Sequence, residues 1–431
     1  MKETKHVVII GAGFGGLQAV KKLAKDKSIR ITLIDRSNHH LFQPLLYQVA
    51  SAVLSPADIA IPIRSLMHKK KNVTVLMDTV TGIDKENKQI ILDDKRISYD
   101  YLILAAGAKT GYFGHNDWMK YTLGLKTLFD ALRIRNLILK SFENAENHPE
   151  SAKELMKYII IGGGPTGVEL AGSLAELSHS IINNDFRNID TRKSEIILIE
   201  GGADLIPSFN RELSIYAKKK LEKRNVRVML NSRVMNIEDN KVFLKTSEGE
   251  KTLTANIIIW AAGVEAVNLN NTFGLPEDKQ KRLIVNRYCS FDEYPEIYAI
   301  GDSVNFRDED GKSLPGVSAV AMQQGRYAAS AIRDLIKGKE LKPFKYTDKG
   351  SMATIGRKDA VADIFGIKFT GFIGWLMWLG LHLFYQVGFK NKVSILITWM
   401  WSYLTFGASA RLIQDTPGKE ELESMLYSLK K

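Results

Sequence analysis

One cysteine in 431 residues, Cys289, leaves the chain without a pair of thiols for a disulfide or a dithiol relay. Set in the strand-like run Asn286 to Phe291, it reads as a small buried hydrophobe rather than a nucleophile. The histidines gather no acid or thiol cluster. His39 and His40 are neighbours and point apart on any regular element, so no metal site is expected. A proton pump needs polar pathways through several spanning helices, and the sequence offers none. Low-complexity tracts and solenoid repeats are absent as well. The segment Met1 to His6 runs straight into strand-like sequence, an arrangement expected to leave no room for a signal peptide and to keep the chain cytoplasmic.

What is present suits a globular protein. Hydrophobic residues make up 45% and charged residues 25%, enough apolar surface to bury and too little charge for disorder. The length suits two or three domains. Basic residues outnumber acidic ones, 60 to 48, for a net charge of +12.

Two glycine loops dominate the chain. The first, Gly11 to Gly16, follows the apolar run His6 to Ile10 and opens into Leu17 to Ala24, whose apolar residues recur at helical spacing. Gly11 permits a tight turn, Gly13 lets backbone approach a pyrophosphate, and Gly16 allows close helix–strand packing. The following run ends in Asp35, 19 residues after Gly16, where a carboxylate accepts hydrogen bonds from ribose hydroxyls. The second loop, Gly162-Gly-Gly164-Pro-Thr-Gly167, repeats the grammar between Tyr158 to Ile161 and Val168 to Leu177. Its terminal acid, Glu200, comes 33 residues past Gly167, with the polar stretch Ser178 to Lys193 taking up the excess. A carboxylate there repels a 2′-phosphate and favours NADH over NADPH. Capping of a surface strand is the plainer alternative for Glu200. Two more apolar runs end in small residues, at Ala106-Gly107 and at Gly263, and let backbone pass close to a nucleotide. A fifth run ends in Gly301-Asp302, whose carboxylate suits a flavin ribityl or ribose hydroxyl. One chain with two dinucleotides is most simply built to pass electrons between them.

These loops, together with His39 to Ala50, the block Gly162 to Gly172, Gly301-Asp302, Ala321 to Gly325 and a Trp-rich tail, resemble the two-dinucleotide-binding-domain flavoproteins. Within these, the chain is similar to the type II NADH:quinone oxidoreductases. The resemblance implies FAD on the first fold, NADH on the second, and a membrane quinone as acceptor of two electrons without proton pumping. The fold expected is α/β, with two nested Rossmann-like domains as in glutathione reductase and a C-terminal membrane-associating region. FAD is assigned to 1–120 and 274–338, NADH to 121–273, and membrane anchoring to 339–431. The polar stretch Asn144 to Lys153 reads as an exposed connection.

Further site residues come from the resemblance. Glu169, just beyond Gly167, is expected to point toward the cofactor crevice and handle protons, its pKa raised by desolvation. Its alternative is an acid that only complements the helix dipole. Gln323 matches the second of a family pair of glutamines at the quinone end, while Ala319 stands where the first belongs. Gln324 is a neighbouring substitute, and a plain helix-surface amide remains open for Gln323. Gln43 begins a loop expected near the flavin, and the N–H groups around Ala321 and Met322 are expected to stabilise negative charge on its reduced ring.

The tail has two uncharged stretches, 21 residues from Phe369 to Phe389 and 18 from Val393 to Ala410. Either is long enough to span as a helix. Glycines, His382, Gln386 and scattered hydroxyls, with Trp375, Trp378, Trp399 and Trp401, favour amphipathic helices lying in the membrane surface. A spanning hairpin and a buried homodimer face are the alternatives. Basic residues ahead of the tail, Lys337 to Lys368, suit the anionic cytoplasmic face of a bacterial cell membrane. Aromatics are not interleaved with that patch, which argues against nucleic acid. Two rival functions remain in view: a soluble NADH oxidase or ferredoxin-type reductase, and an NADH-sensing flavoprotein without turnover.

Overall fold

The computed structural model describes residues 4–267, 273–405, 407 and 410–414. Apolar runs without alternation form parallel sheets covered on both faces, and the described residues hold two such sheets of five strands. In chain order the first takes β1 (Lys5–Ile10), β2 (Ile29–Asp35), β3 (Val73–Met77) and β4 (Tyr101–Leu104). The second takes β5 (Leu123–Gly124), β6 (Lys157–Ile161), β7 (Glu195–Ile199), β8 (Val226–Met229) and β9 (Ile257–Trp260), before β10 (Ile297–Ala299) returns to the first. A separate antiparallel sheet follows, of β11 (Ser351–Gly356), β12 (Asp359–Ile364) and β13 (Ile367–Thr370). The helices used below are α1 (Phe14–Leu23), α2 (Leu128–Asn147), α3 (Pro165–Glu176), α4 (Arg211–Glu222), α5 (Ser318–Ile336), α6 (Gly371–Tyr385) and α7 (Phe389–Thr405).

One compact unit comprises the described residues of Met1–Leu41, Ala60–Gly111 and Gly263–Lys349. Its sheet order is β10-β4-β1-β2-β3, all parallel. Val7, Val8, Ile9, Leu33 and Leu104 are fully buried in it. Helices α1 and α5 pack backbone to backbone: a Cβ on Gly325 would overlap the Gly15 carbonyl oxygen.

The other unit comprises the described residues of Phe42–Ile59, Tyr112–Ala262 and Gly350–Lys431. Its parallel sheet runs β5-β9-β6-β7-β8. Helix α2 opens on a capping box in which Thr127 and Asp130 satisfy each other's backbone N–H. The antiparallel sheet sits on α3, where a Cβ on Gly172 would overlap the Ile355 carbonyl oxygen. Helices α6 and α7 close over it through Trp378 against Trp399, with ring centroids 5.6 Å apart.

The units divide the chain differently from the three-part division at 121, 274 and 339. Phe42–Ile59 belongs with the second unit, and the C-terminal residues from 350 pack into that unit instead of forming a region of their own. Hydrogen bonds account for both shifts. Gln386 and Asn391 donate to the Asp58 carbonyl at 2.9 and 2.8 Å, and the Trp399 indole donates to Gln48 Oε1 at 2.8 Å. The expected exposed connection over Asn144 to Lys153 is instead largely helical, because α2 continues to Asn147 and short turns follow at Pro149–Ser151 and Ala152–Leu155.

Candidate active site

In the first unit the glycine loop has the shape its spacing predicts. Gly11 has φ +98° with its Cα against the Ala105 carbonyl, and a Cβ on Gly16 would overlap the Gly11 oxygen. Beside Gly13, by contrast, a Cβ would meet nothing within 4 Å. Helix α1 starts there with no side chain capping it, so its first N–H groups face that open space. Asp35 braces the loop: one carboxylate oxygen accepts from Ala12 N–H and the other from Ser37 N–H, both at 2.7 Å. Gly107, at φ +71°, likewise has open space where a Cβ would stand. His40 is buried, its Nδ1 2.8 Å from the Ala12 carbonyl oxygen, and burial depresses its pKa to about 4. It serves as a neutral prop beneath the loop.

The second unit repeats this geometry. Gly162 has φ +113° and packs on Ala261 and Ala262, a Cβ on Gly167 would overlap the Gly162 oxygen, and Gly164 again faces open space. Helix α3 is also uncapped by any side chain. Glu200 accepts from Gly163 N–H and from Gly202 N–H, both at 2.7 Å. Each terminal acid thus shapes its own loop whatever else it binds. Glycine loop, open cradle and uncapped helix fit a dinucleotide pyrophosphate in both units.

Glu169 follows the second glycine loop by two residues. It is the fifth residue of α3, beyond the first turn, and faces β11. Its Oε1 accepts from Thr354 N–H at 3.3 Å. Gly172, three residues on and so on the same face of the helix, lets β11 come close enough for that bond. Burial pushes the Glu169 carboxyl up to about 8, against the pull of the Thr354 N–H and the Trp378 indole. Tyr47, also buried, has its phenol raised by burial first and by the Glu169 charge second. The Tyr47 hydroxyl accepts from Gln48 Nε2 at 2.9 Å, which fixes the Gln48 amide that Trp399 grips from the other side. His382 stacks on Trp378 at 4.1 Å, with its Nδ1 2.7 Å from the Trp378 carbonyl oxygen. Burial holds His382 neutral, its pKa depressed to about 4. Around a carboxylic acid poised near neutrality, the second unit therefore assembles an aromatic and amide shell. Thr354 was not among the residues singled out from sequence, and Tyr47 and Gln48 lay in the loop opened by Gln43 without a role of their own; the small residue three positions after Glu169 was the available signal for Thr354.

The other candidates fall as follows. Gln323 is half-buried, and its amide makes a two-point tie to Thr347, donating to the carbonyl at 2.9 Å and accepting from the N–H at 3.0 Å. Gln324 is buried and accepts from Gly301 N–H at 2.8 Å, shaping the turn that carries Asp302. Ala321 N–H is already donated to the Val317 carbonyl, so the helix N–H groups lacking intrahelical acceptors are those of Ser318 to Val320 rather than those around Ala321 and Met322. Gln43 lies in the second unit, where its amide donates to the Lys126 carbonyl at 3.3 Å, and Gly263 lies in the first. Cys289 is buried, with its thiol pushed far up by burial.

Helices α6 and α7 are 15 and 17 residues long, and no described helix is long and apolar enough to cross a membrane. They bury Trp375, Trp378, Ile395 and Trp399 while Phe384, Phe389, Trp401 and Leu404 stand out in solvent. The stretch Val393 to Ala410 runs beyond the described residues at 406, 408 and 409.

Comparison with known proteins agrees with this geometry. Residues 5–325 match the family model described as pyridine nucleotide-disulphide oxidoreductase, and residues 349–407 match the NDH2 C-terminal domain. The chain is 39% identical to the type II NADH:quinone oxidoreductase Ndh of Mycobacterium tuberculosis, over 95% of this chain and 90% of that one. It is 38% identical to NdhA of the same organism, over 93% and 87%. Among solved structures, NDH2 from Plasmodium falciparum in complex with NADH superposes with a TM-score of 0.87 at 23% identity, covering 96% of this chain and all of that one. The sulfide:quinone oxidoreductase of Aquifex aeolicus shares the fold at a TM-score of 0.69 and 20% identity, over 99% and 96%.

Proposed function

We propose a division of labour for this chain, which belongs to the type II NADH:quinone oxidoreductases and, with a flavin, oxidises NADH and reduces a quinone without pumping protons. The flavin is FAD, held by Gly11, Gly13, Gly16, Asp35, Ala106, Gly107 and Asp302, with Ala321 and Met322 near its ring system. NADH lies on Gly162, Gly164, Gly167 and Glu200. The observation that supports this reading most directly is the duplicated open space at Gly13 and Gly164, each at the mouth of an uncapped helix. When bound, the flavin supplies a two-electron carrier between nicotinamide and quinone.

The protein's own part is positioning and proton supply. Reducing a quinone to quinol takes two electrons and two protons; the hydride removed from NADH accounts for both electrons and one proton, and a carboxyl with a pKa of about 8 carries the other at neutral pH. Glu169 supplies it, with Tyr47, Trp378 and neutral His382 excluding water around it. Gln323 contributes at the quinone end by fixing the segment at Thr347. The exposed apolar residues of α6 and α7 lie in the surface of the membrane, and the basic residues before them hold the anionic cytoplasmic leaflet. Protein extracted from membranes should be yellow, release FAD on denaturation, and consume NADH, in strong preference to NADPH, only when a menaquinone or ubiquinone analogue is added. A colourless preparation, or NADH consumption indifferent to quinone, would overturn the reading.

A further inference from the structure

The end of α3 departs from regular helix at a place that the redox reaction does not use. After Glu176 the chain widens into a π-helical turn, Leu177–Ile181, a form that is rare and frequent at functional sites. This turn lines a cavity of about 370 Å³, together with Glu176, Lys223, Arg224, Asn225 and Arg357. Lys223 is exposed, while Arg224 and Arg357 are half-buried. Lys220 stands one turn away on α4, bonded to Asp359 at 2.9 Å. Among the described residues, two carboxylates face these four cations. Glu176 accepts from Arg357 N–H and lies 3.9 Å from Arg224 Nε; Asp359 lies 3.5 Å from Arg224 Nη1. The cations exceed the acids by two even with both carboxylates ionised. Such a polar, cationic cavity matches an anion with several acceptor oxygens.

Its surroundings indicate which anion. The Arg357 guanidinium lies over the Tyr403 ring of α7, 5.3 Å from its centroid, and Nη2 reaches Ser402 Oγ at 3.5 Å. The residues flanking that pair, Trp401 and Leu404, are 64% and 74% exposed. Cationic cavity and apolar helix face are thus joined through one arginine, as a charged headgroup is joined to its acyl chains.

We propose that this cavity binds the phosphate of an anionic phospholipid through Lys223, Arg224 and Arg357, with the acyl chains lying along Trp401 and Leu404. The inference rests on the reading of α6 and α7 as interfacial helices. The full-length flavoenzyme would be floated with phosphatidylglycerol vesicles and, separately, with phosphatidylcholine vesicles, at physiological salt. Lys223→Gln combined with Arg357→Gln should lower the partition onto phosphatidylglycerol about tenfold or more, and leave phosphatidylcholine partition and NADH turnover with a water-soluble quinone unchanged. The charge-matched control Lys70→Gln with Lys71→Gln, in the other unit, should keep most of its phosphatidylglycerol binding. Lys223→Gln alone, on an exposed side chain, should show a partial loss and guards against a folding defect in the double variant. Equal losses in the control and the test variant would overturn the proposal, as would equal partition of the native enzyme onto both vesicles. Thermal stabilisation of the native enzyme by glycerol phosphate, without any preference for phosphatidylglycerol, would assign the cavity to a soluble phosphate and overturn the lipid assignment. Failure to float with either vesicle would instead sink the interfacial reading of the tail, and this proposal with it.

Discussion

Aligned on Gly16 and Gly167, helices α1 and α3 carry Gln18 and Glu169 at the same position, and Lys21 and Gly172 at another. Both start from a glycine loop braced by a terminal acid. Beyond the loop they diverge. In α1, Gln18 accepts from Arg326 at 3.2 Å, and the close approach to a neighbouring helix comes at Gly15. In α3, the close approach has moved to Gly172, where it draws in β11 and buries Glu169 beside it. The comparison teaches that a nucleotide-binding frame leaves the outer face of its first helix free for a second use, and that one small residue decides which neighbour claims it.

The most damaging test of the contrast is Gly172→Ala. The added methyl must push β11 off α3, with an expected loss of about 1–3 kcal/mol or more, whereas Lys21→Ala at the matching place should stay within about 0.5 kcal/mol. Thermal denaturation of the two variants compares them directly, and equal Tm values would erase the distinction. Next is Glu169→Gln, expected to lower quinone-dependent turnover about a hundredfold with the KM for NADH unchanged, while Gln18→Ala changes little. Native turnover should decline as pH rises through about 8, where Glu169 loses its proton, and the variant should lack that limb. Turnover and pH profile both unaltered would reject the proton role.

The same carboxyl has a stability signature. Its folded pKa lies above the unfolded value, so the folded state holds the extra proton and stability falls as pH rises from the ordinary carboxyl range through about 8. Melting curves of Glu169→Gln should show a flatter decline toward alkaline pH. Smaller effects are expected at the braces, where the two folds agree. Asp35→Asn and Glu200→Gln should each cost about 1–2 kcal/mol through a lost backbone hydrogen bond, and Glu200→Gln should also relax the preference for NADH over NADPH. Smallest is Gln323→Ala, expected to raise the KM for quinone severalfold with kcat nearly unchanged; no change in either would make Gln323 a plain support for Thr347.

Much of this was legible in the sequence because it is local. Gly11, Gly16, Gly162 and Gly167 announce their turns within a few residues, and the acids at Asp35 and Glu200 stand out at the ends of the apolar runs that follow. The setting of Glu169 was not legible, since its partner Thr354 lies 185 residues away and belongs to a sheet with no motif of its own. Nor was the allegiance of Phe42–Ile59. It depends on side chains of Gln386, Asn391 and Trp399 reaching particular carbonyl and amide oxygens, which no spacing rule encodes. The helical continuation through Asn147 was hidden because polar residues on an exposed helix and in a loop look alike until a partner is known.

The hydrogen bonds between the turn at Asp58 and the residues linking α6 to α7 carry a practical corollary. With Trp375, Trp378, Ile395 and Trp399 inside the second unit, α6 and α7 are not a detachable tether. Truncation before residue 370 would strip out part of the fold's interior and yield aggregates. A detergent-free version would come from repainting the outward side, replacing Phe384, Trp401 and Leu404 with polar residues and leaving the inward tryptophans in place.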